Sequence, residues 1–247
     1  MDLGIEGRQA LICGASRGLG FACAKALALE GVAVTLVSRT RHTLDNSAEN
    51  IYEACGRRPE TIIADLSDLK GVESVLKACT SPDIIVTNAG GPPSQDFRTL
   101  TRAQWLAALE TNFLSAETLI KLSVDGMIER SFGRIINITS MTVKSPVQGL
   151  DLSTAARLAL TGYSAGVARQ VAKHNVTINN LLPGPILTER LSELGETAKQ
   201  LISAVPAGRA GHVEEFGAAC AFLCSNPAGF ITGQNLLIDG GLCSFTV

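Results

Sequence analysis

Short aliphatic runs alternate with longer segments of amphipathic character along the whole chain. Each run is apolar at successive positions and therefore on both faces, which is typical of a strand buried in a parallel sheet. The pattern predicts strands at residues 10–13, 32–37, 61–64, 84–86, 134–138, 176–182 and 235–238. The segments between them predict helices at residues 19–29, 44–55, 69–80, 102–128, 152–174 and 213–224.

Strands that are regularly separated by helices require right-handed crossovers and a parallel sheet covered on both faces. The predicted fold class is therefore α/β, a doubly wound seven-stranded parallel sheet flanked by helices. No linker, internal repeat or low-complexity tract interrupts the alternation, so we expect a single domain over residues 1–247. The irregular segments 90–99 and 183–209 are expected at the carboxyl ends of the strands, where such sheets bind ligands.

The composition narrows the range of partners. Hydrophobic residues make up 46% of the chain and charged residues 18%, which fits a globular domain rather than a disordered chain. With 21 basic and 23 acidic residues the formal charge is -2, so we expect no nucleic-acid partner and no attraction to anionic lipid. The richest apolar stretch is interrupted well before the ~18 residues of a membrane span. The start resembles no export signal, and a cytoplasmic protein is expected.

The cysteines predict neither cross-links nor a metal site. There are 7 of them, an odd number, and no two form a C-x-x-C pair. This arrangement argues against a disulfide framework and against a zinc site. Cys220 and Cys224 lie one helical turn apart and could meet, but we interpret them as small buried hydrophobic residues, and we assign no cysteine a function.

A glycine-rich loop follows directly after the first predicted strand and opens the first predicted helix. Its glycines are Gly14, Gly18 and Gly20, with Ser16 and Arg17 between them. Glycine permits the tight turn, and it lets backbone N–H groups approach a pyrophosphate at the positive end of the helix. Because both flanking elements are present, the loop favours a dinucleotide site over a plain turn.

With this loop the sequence resembles the short-chain dehydrogenase/reductase family, whose fingerprint at this place is T-G-x-x-x-G-x-G. The resemblance extends over nearly the whole chain, and Asn88, Ala89 and Gly90 match the family's N-A-G element. The C-terminal half is similar to the 3-oxoacyl reductases of the family. A Rossmann-type fold is implied, and Cys13 in place of threonine is a small departure.

The resemblance also implies which residues bind the dinucleotide. Asp65 matches the family's adenine-side aspartate, and the segment from Pro183 to Thr188 matches its cofactor clamp. The residues expected to bind the cofactor are Gly14, Ser16, Arg17, Gly18, Leu19, Gly20, Ser38, Arg39, Asp65, Leu66, Asn88, Ala89, Gly90, Arg157, Pro183, Gly184, Ile186 and Thr188.

The choice of cofactor follows from the end of the second predicted strand. A carboxylate there would bind the ribose 2′-OH of NAD and repel a 2′-phosphate. This chain instead has Ser38 and Arg39, with Arg41 nearby and Arg17 in the glycine loop. Because a guanidinium donates bidentately to phosphate, NADP(H) is favoured over NAD(H). The alternative to phosphate binding for Arg39 and Arg41 is that they are solvated residues at a helix start, which suits Arg41 better than Arg39. For Arg17 the alternative is a surface position in the first helical turn.

The catalytic motif of the family is altered in this chain. Asn112 and Ser140 lie where the family carries its active-site asparagine and catalytic serine. Where the family then has the tyrosine and lysine of Y-x-x-x-K, this sequence has Ser153 and Arg157. A serine hydroxyl is far less acidic than a phenol, and a guanidinium is too basic to exchange a proton at neutral pH. The expected catalytic residues, Asn112, Ser140, Ser153 and Arg157, therefore imply an atypical proton relay.

Several groups compete for the role of proton donor. Lys144 and Asp151 lie in the loop before Ser153. Either residue could act as the acid or bind the substrate; the alternative is that both are solvated loop charges. A water held by Ser140, Ser153 and Asn112 is another donor. The nearest tyrosine in that helix, ten residues past Ser153, is ~15 Å away and too distant.

Two readings of the altered pair stay open at this point. Arg157 either reaches the nicotinamide ribose or an anionic substrate, or it is a salt-bridged residue on a helix face. Ser153 is either part of the site or the N-cap of its helix.

These observations leave two hypotheses for function. The first is an NADP(H)-dependent oxidoreductase that reduces a ketone of 3-oxoacyl or similar type, so that the partner is a small-molecule carbonyl or alcohol substrate. The second is a catalytically impaired dinucleotide-binding sensor or partner protein. The resemblance also implies a homo-oligomer, a tetramer or dimer, and a small substrate lid at residues 188–205 with Leu191, Leu194 and Leu201 as apolar lining.

Overall fold

A parallel sheet organises the chain. The computed structural model describes residues 1–193 and 195–244. The strands are β1 (Gln9–Cys13), β2 (Ala33–Ser38), β3 (Glu60–Ile63), β4 (Ile84–Thr87), β5 (Gly133–Ile138), β6 (Val176–Pro183) and β7 (Asn235–Ile238). Among the described residues they form one sheet in the order β3-β2-β1-β4-β5-β6-β7, with every neighbouring pair parallel. The predicted strands are confirmed, with bounds that differ by at most one residue.

Helices cover both faces of this sheet. They are α1 (Gly18–Leu29), α2 (Arg41–Cys55), α3 (Leu69–Ala78), α4 (Arg102–Leu109), α5 (Ser115–Glu129), α6 (Asp151–Val171), α7 (Glu189–Ser192), α8 (Glu196–Ser203) and α9 (Val213–Cys224). Alternate residues of a strand point to opposite faces, so Ile84 packs with the cluster of α1, α2 and α9, and Ile85 with that of α3, α5 and α6. The doubly wound α/β class is confirmed. None of the helices in the described part of the chain has the length and apolar character that a membrane span requires.

Apart from helix ends that differ by up to three residues, the helices differ from the prediction in two places. The predicted helix at 102–128 is divided, because a π-helical turn at Glu110–Leu114 separates α4 from α5. The segment 183–209, interpreted as irregular, contains the short helices α7 and α8. Leu191 on α7 and Ala198 on α8 are buried together with Ala210. Leu194, expected to line the lid, lies outside the described residues.

A ladder of polar side chains crosses the carboxyl half of the sheet. Thr87 on β4, Asn137 on β5 and Asn180 on β6 lie side by side in register. Asn137 accepts a hydrogen bond from Thr87 Oγ1 at 2.7 Å, and its Nδ2 donates to Asn180 Oδ1 at 3.0 Å and to Ser164 Oγ on α6 at 2.9 Å. Because Asn137 is fully buried, these bonds set the register of three strands and the position of α6 upon them.

Asn137→Ala should lower the free energy of unfolding by about 2–4 kcal/mol, since Thr87, Ser164 and Asn180 would lose a buried partner. Thr177→Val is the matched control, because the Thr177 hydroxyl is buried on β6 and has no hydrogen-bond partner in the described structure. Its removal should leave stability unchanged or raise it. Urea unfolding followed by circular dichroism measures both changes, and equal losses in the two variants would contradict the role of the ladder.

Candidate functional site

The glycine loop lies between β1 and β4, where the strand order of the sheet reverses. Gly14 and Gly18 have φ of +58°, a conformation that glycine adopts without strain. A Cβ at Gly14 would lie 2.7 Å from Asn88 Nδ2, and a Cβ at Gly20 would lie 2.4 Å from the Gly14 carbonyl oxygen. Asn88 Nδ2 also donates to that oxygen at 3.3 Å. The loop is thus packed tightly against the end of β4, and only glycine fits at 14 and 20.

The start of α1 has the character of an anion site. Arg17 is the N-cap residue and makes no capping bond, and the first turn contains no acidic side chain. The positive end of the helix dipole and its unpaired N–H groups therefore face the loop, and a pyrophosphate fits there. The loop is anchored from behind by Ser47 Oγ, which donates to the Ser16 carbonyl oxygen at 2.8 Å. Cys13, below the loop, is buried, and burial raises the pKa of its thiol to about 12.

The ends of β2 and β3 form the side of the site expected to receive the adenosine half. Ser38 ends β2, and Arg39 follows it as an exposed residue without an ion pair among the described residues. Asp65 accepts hydrogen bonds from the backbone N–H of Ser67 at 3.0 Å and from its hydroxyl at 2.8 Å. These two bonds, with a smaller contribution from Arg39, lower the pKa of Asp65. The charge of Arg39 therefore acts on Asp65, and Leu66 follows Asp65 in the chain.

Asn112 lies in the π-helical turn that separates α4 from α5. Its Nδ2 donates to the Ala108 carbonyl oxygen at 3.4 Å. Its Oδ1 is buried and has no hydrogen-bond partner within residues 1–193 and 195–244. A buried acceptor is costly to leave unpaired, and π turns are common at functional sites. Asn112 therefore offers an acceptor to a ligand or water.

Ser140 follows the end of β5 and is half-buried. Its Oγ accepts a hydrogen bond from the backbone N–H of Thr142 at 3.2 Å. That bond uses a lone pair of the hydroxyl and leaves its proton available to a ligand.

Ser153 and Arg157 form a pair one helical turn apart on α6. The helix begins at Asp151 with Leu150 as N-cap residue, so the alternative that Ser153 caps this helix is wrong. Ser153 is instead buried, and its Oγ accepts a hydrogen bond from Arg157 Nε at 3.1 Å. This arrangement follows from the i, i+4 spacing, which places both side chains on one helix face.

Arg157 is a buried guanidinium bound to backbone carbonyls. Its Nη1 donates to Ile138 O at 2.8 Å and Thr139 O at 2.7 Å, and its Nη2 donates to Ala89 O at 3.2 Å. It forms no ion pair with any carboxylate that the structure describes, so the interpretation as a salt-bridged face residue is wrong. Burial, with a smaller contribution from the charge of Arg190, lowers its pKa to about 10, and the group stays cationic at neutral pH. Arg157 thereby joins α6 to the ends of β4 and β5.

The segment after β6 covers the mouth of the site. Gly184 packs on the residue that follows β7, because a Cβ there would lie 2.6 Å from Asp239 Cβ. Ile186 is buried and Thr188 is the N-cap of α7, whose Leu191 N–H donates to Thr188 Oγ1 at 3.4 Å. Thr188 faces the glycine loop, since a Cβ at Gly18 would lie 3.7 Å from its Cγ2.

Two arginines attach the first turn of α7 to opposite walls. Arg17 Nη1 donates to Glu189 Oε2 at 2.5 Å, so the arginine expected to bind the cofactor is engaged by a carboxylate in this structure. Arg190 Nη1 donates to Gly91 O at 3.3 Å. The sequence did not identify Glu189 and Arg190 as site residues. Their only signal there is that two charged residues directly follow Thr188.

The two other candidates for proton donor stay outside this network. Lys144 is exposed, and Asp151 lies half-buried in the first turn of α6. Neither side chain forms a hydrogen bond or ion pair with the residues that the structure describes. Both therefore fit the alternative of solvated charges at the edge of the site.

Comparison with known proteins gives consistent relatives. A family model described as enoyl-(acyl carrier protein) reductase matches residues 14–243. The chain is 34% identical over 245 residues to the 3-oxoacyl-[acyl-carrier-protein] reductase of Escherichia coli, covering 97% of this chain and 99% of that one. It is also 34% identical to gluconate 5-dehydrogenase of Gluconobacter oxydans, covering 96% of this chain and 95% of that one.

Solved structures agree with these relatives. L-sorbose reductase from Gluconobacter frateurii, complexed with NADPH and L-sorbose, superposes with a TM-score of 0.91 at 30% identity, covering 99% of this chain and 100% of that one. The NADPH-dependent reductase YwfH, involved in bacilysin biosynthesis, gives a TM-score of 0.91 at 29% identity, with 97% and 100% covered.

Arg157→Met should lower the free energy of unfolding by about 2–4 kcal/mol, because the buried carbonyl oxygens of Ile138 and Thr139 would lose their donors. The control is Arg169→Met, an exposed arginine near the end of the same helix, for which we expect a change below about 0.5 kcal/mol. Denaturant unfolding measures both. A loss in Arg157→Met no greater than in the control would show that these carbonyl contacts stabilise nothing.

Proposed function

The chain belongs to the short-chain dehydrogenase/reductase family of oxidoreductases, and from this premise we propose that it is an NADP(H)-dependent reductase of a ketone. A 3-oxoacyl thioester or a similar carbonyl compound is the first substrate class to test, because the relatives include 3-oxoacyl reductases. One observation carries the proposal. The glycine loop after β1 packs on Asn88 after β4, and the neighbouring strand β5 leads to Ser140, whose hydroxyl keeps a proton available.

The residues present fit a dinucleotide. The unpaired N–H groups at the start of α1 would hold its pyrophosphate, because this end of the helix is positive and a Cβ at Gly14 or Gly20 would leave no room for the turn. Asp65 and Leu66 would line the adenine, and Thr188 would close over the opposite end. The residues proposed to bind the cofactor are those the sequence predicts there: Gly14, Ser16, Arg17, Gly18, Leu19, Gly20, Ser38, Arg39, Asp65, Leu66, Asn88, Ala89, Gly90, Arg157, Pro183, Gly184, Ile186 and Thr188.

Charge at the end of β2 favours NADP(H). The two residues at the end of β2 are Ser38 and Arg39, and neither carries a carboxylate that would repel a 2′-phosphate. Among the described residues no carboxylate forms an ion pair with Arg39, so its guanidinium is available to the phosphate. Arg17 is bound to Glu189 and would first have to leave that carboxylate. We therefore assign the 2′-phosphate chiefly to Arg39, whose planar group can donate two parallel hydrogen bonds.

Ser140 is the group proposed to polarise the substrate. When NADPH is bound it supplies the hydride that the ketone carbon accepts. Negative charge then develops on the ketone oxygen, and the Ser140 O–H donates a hydrogen bond to it. Because the Thr142 N–H occupies a lone pair of Ser140 Oγ, the hydroxyl is held with its proton available.

The proton that completes the alcohol would come through water rather than from a phenol. Asn112 Oδ1 is a buried acceptor that has no partner among the described residues, and it would orient such a water. Ser153 Oγ accepts from Arg157, so its own proton can be passed on. Arg157 stays protonated and holds this serine in place. Such a relay lacks a group tuned to neutral pH, and general acid catalysis of that kind contributes ~10²- to 10⁴-fold.

A second candidate function is a dinucleotide-binding sensor or partner protein without turnover. It is favoured by one observation: Arg157 donates hydrogen bonds from four of its N–H groups to other atoms of the protein. A pair with this arrangement supports the fold of the site whether or not chemistry occurs in it.

Large exposed hydrophobic side chains favour a homo-oligomer, which we propose to be cytoplasmic. Leu106, Leu122 and Leu158 are large exposed hydrophobic residues on α4, α5 and α6, and Phe230 is exposed before β7. We propose that these faces are covered by further copies of the chain, as a dimer or tetramer. Residues 188–205 would act as the substrate lid over the single domain.

Arg39→Ala should raise the Kd of NADPH by about 10- to 100-fold and leave the Kd of NADH unchanged, because charge-assisted bonds to the 2′-phosphate would be lost. Fluorescence titration with each cofactor measures both constants. Arg58→Ala is the control, since Arg58 is an exposed arginine paired with Glu49. Equal weakening of NADPH and NADH by Arg39→Ala would place the 2′-phosphate elsewhere.

The protein should consume NADPH with a ketone in a panel of carbonyl substrates, and Ser140→Ala should lower kcat about 10²- to 10³-fold, as loss of an oxyanion donor does. The rate is read from NADPH absorbance, and the Kd of NADPH should stay the same. Ser145→Ala, in the same loop, serves as the control. The panel includes 3-oxoacyl and enoyl thioesters.

Restoring the family motif separates the two candidate functions. If Ser153→Tyr with Arg157→Lys loses the activity of the natural chain, the atypical relay is supported. A natural chain without turnover on the whole panel, together with a double variant that reduces ketones, would instead support the sensor. Circular dichroism confirms in each case that the variant is folded.

A further inference from the structure

Two guanidinium groups contact the same short backbone segment at the mouth of the site. Arg157 Nη2 donates to Ala89 O at 3.2 Å, and Arg190 Nη1 donates to Gly91 O at 3.3 Å. Arg190 lies directly on Gly91, where a Cβ would be 3.0 Å from its Nη2. Residues 89–91 are therefore flanked by one cation from α6 and one from the lid.

Neither cation is neutralised by the protein. In the part of the chain that the structure describes, no carboxylate forms an ion pair with Arg157 or Arg190. Glu189, the carboxylate next to Arg190 in the chain, is bound to Arg17 on the opposite wall. The carbonyl oxygens around Arg157 solvate its charge but do not cancel it. Arg190 is close enough to oppose that charge, adding to the effect of burial that lowers the pKa of Arg157.

Both groups also keep hydrogen-bond donors for a ligand. Of its five N–H groups Arg157 uses four on the protein, and Arg190 uses one. Planar guanidinium groups with unused donors are suited to carboxylates. Two positive charges on the same short segment, Arg157 buried and Arg190 exposed, favour an anion over a neutral molecule of the same shape.

We propose that an anionic group of the substrate, a carboxylate close to the reacting ketone, binds between Arg157 and Arg190, and that Arg190 determines this specificity. The inference rests on the proposed function and narrows its substrate class to oxo acids. The reaction balances without a further reactant. Hydride from NADPH bonds to the ketone carbon, a proton from water bonds to its oxygen, NADP⁺ and hydroxide are released, and the carboxylate is unchanged.

A phosphate of the cofactor is the other anion that could bind between Arg157 and Arg190. The pyrophosphate is assigned to the glycine loop and the start of α1, on the wall that carries Arg17, whereas Arg190 lies on the wall formed by Gly91. Substrate carboxylate is therefore the source we favour, and an experiment that measures cofactor and substrate separately distinguishes the two.

The test compares 3-oxobutanoate with its methyl ester, which carries the same ketone without the charge. With saturating NADPH, the natural chain should show a kcat/KM at least tenfold higher for the acid. Arg190→Gln should lower kcat/KM for the acid by roughly 10- to 100-fold, as loss of a charge-assisted hydrogen bond does, and change the ester less than twofold. Arg102→Gln, an exposed arginine at the start of α4, is the control and should change neither.

A binding measurement keeps this inference separate from the proposed function. Calorimetric titration of 3-hydroxybutanoate and its methyl ester, with and without NADP⁺, should show binding of the acid that Arg190→Gln weakens at least tenfold. Such binding without any turnover would support the anion site and refute the reductase. If the natural chain binds the acid and the ester with the same Kd and reduces the two ketones with the same kcat/KM, the anion site is wrong, even if ketones are reduced. If Arg190→Gln raises the Kd of NADPH as much as that of the acid, the anion is the cofactor's phosphate and the proposal is wrong.

Discussion

The guanidinium of Arg157 is buried at the point where three elements of the fold meet. Its N–H groups bind the carbonyl oxygens with which β5 ends, the first turn of the loop after β4, and the hydroxyl of Ser153 on its own helix. Parallel strands end with carbonyl groups that the sheet cannot pair, and a buried one needs a donor. Arg157 supplies donors to these groups at once, so the backbone that carries Ala89 and Ser140 depends on it for its position.

The ladder centred on Asn137 also fixes the relative positions of the strands and of α6. Thr87 and Asn180 hold β4 and β6 in register with β5, and Ser164 holds α6 above them. The two networks share β5, α6 and the end of β4, and the ladder adds β6. Residues that follow those elements, Asn88 and Ser140 among them, are therefore positioned by buried polar bonds, whose geometry is stricter than that of aliphatic packing.

The sequence predicted the sheet to within one residue per strand. In β1, β2, β4, β5 and β6 both faces are largely buried, which leaves a nearly uninterrupted apolar signal, and the partly exposed edge strands β3 and β7 still carry short aliphatic runs. The sequence also identified the glycine loop and the altered pair by spacing. It did not predict the π turn at Asn112, since one extra residue in a helical turn leaves the apolar period nearly unchanged. The link between Arg17 and Glu189 was equally hidden, because the two residues are 172 positions apart and each is exposed. Three of the four partner atoms of Arg157 are backbone carbonyl oxygens, which the residue types in the sequence do not reveal.

Ser153 and Arg157, which stand where the resemblance implies a tyrosine and a lysine, are best understood as one unit rather than as two independent residues. A lysine at 157 has a single nitrogen with three donors and no Nε–H, so it could not serve Ser153 and the carbonyl oxygens of Ala89, Ile138 and Thr139 together. A tyrosine at 153 would move the accepting oxygen several ångströms away from Arg157 Nε. Each residue therefore requires the other, and the pair forms a closed set of hydrogen bonds. The polarising role that we propose for Ser140 needs a hydroxyl that this pair does not use, and the Ser140 hydroxyl meets that condition.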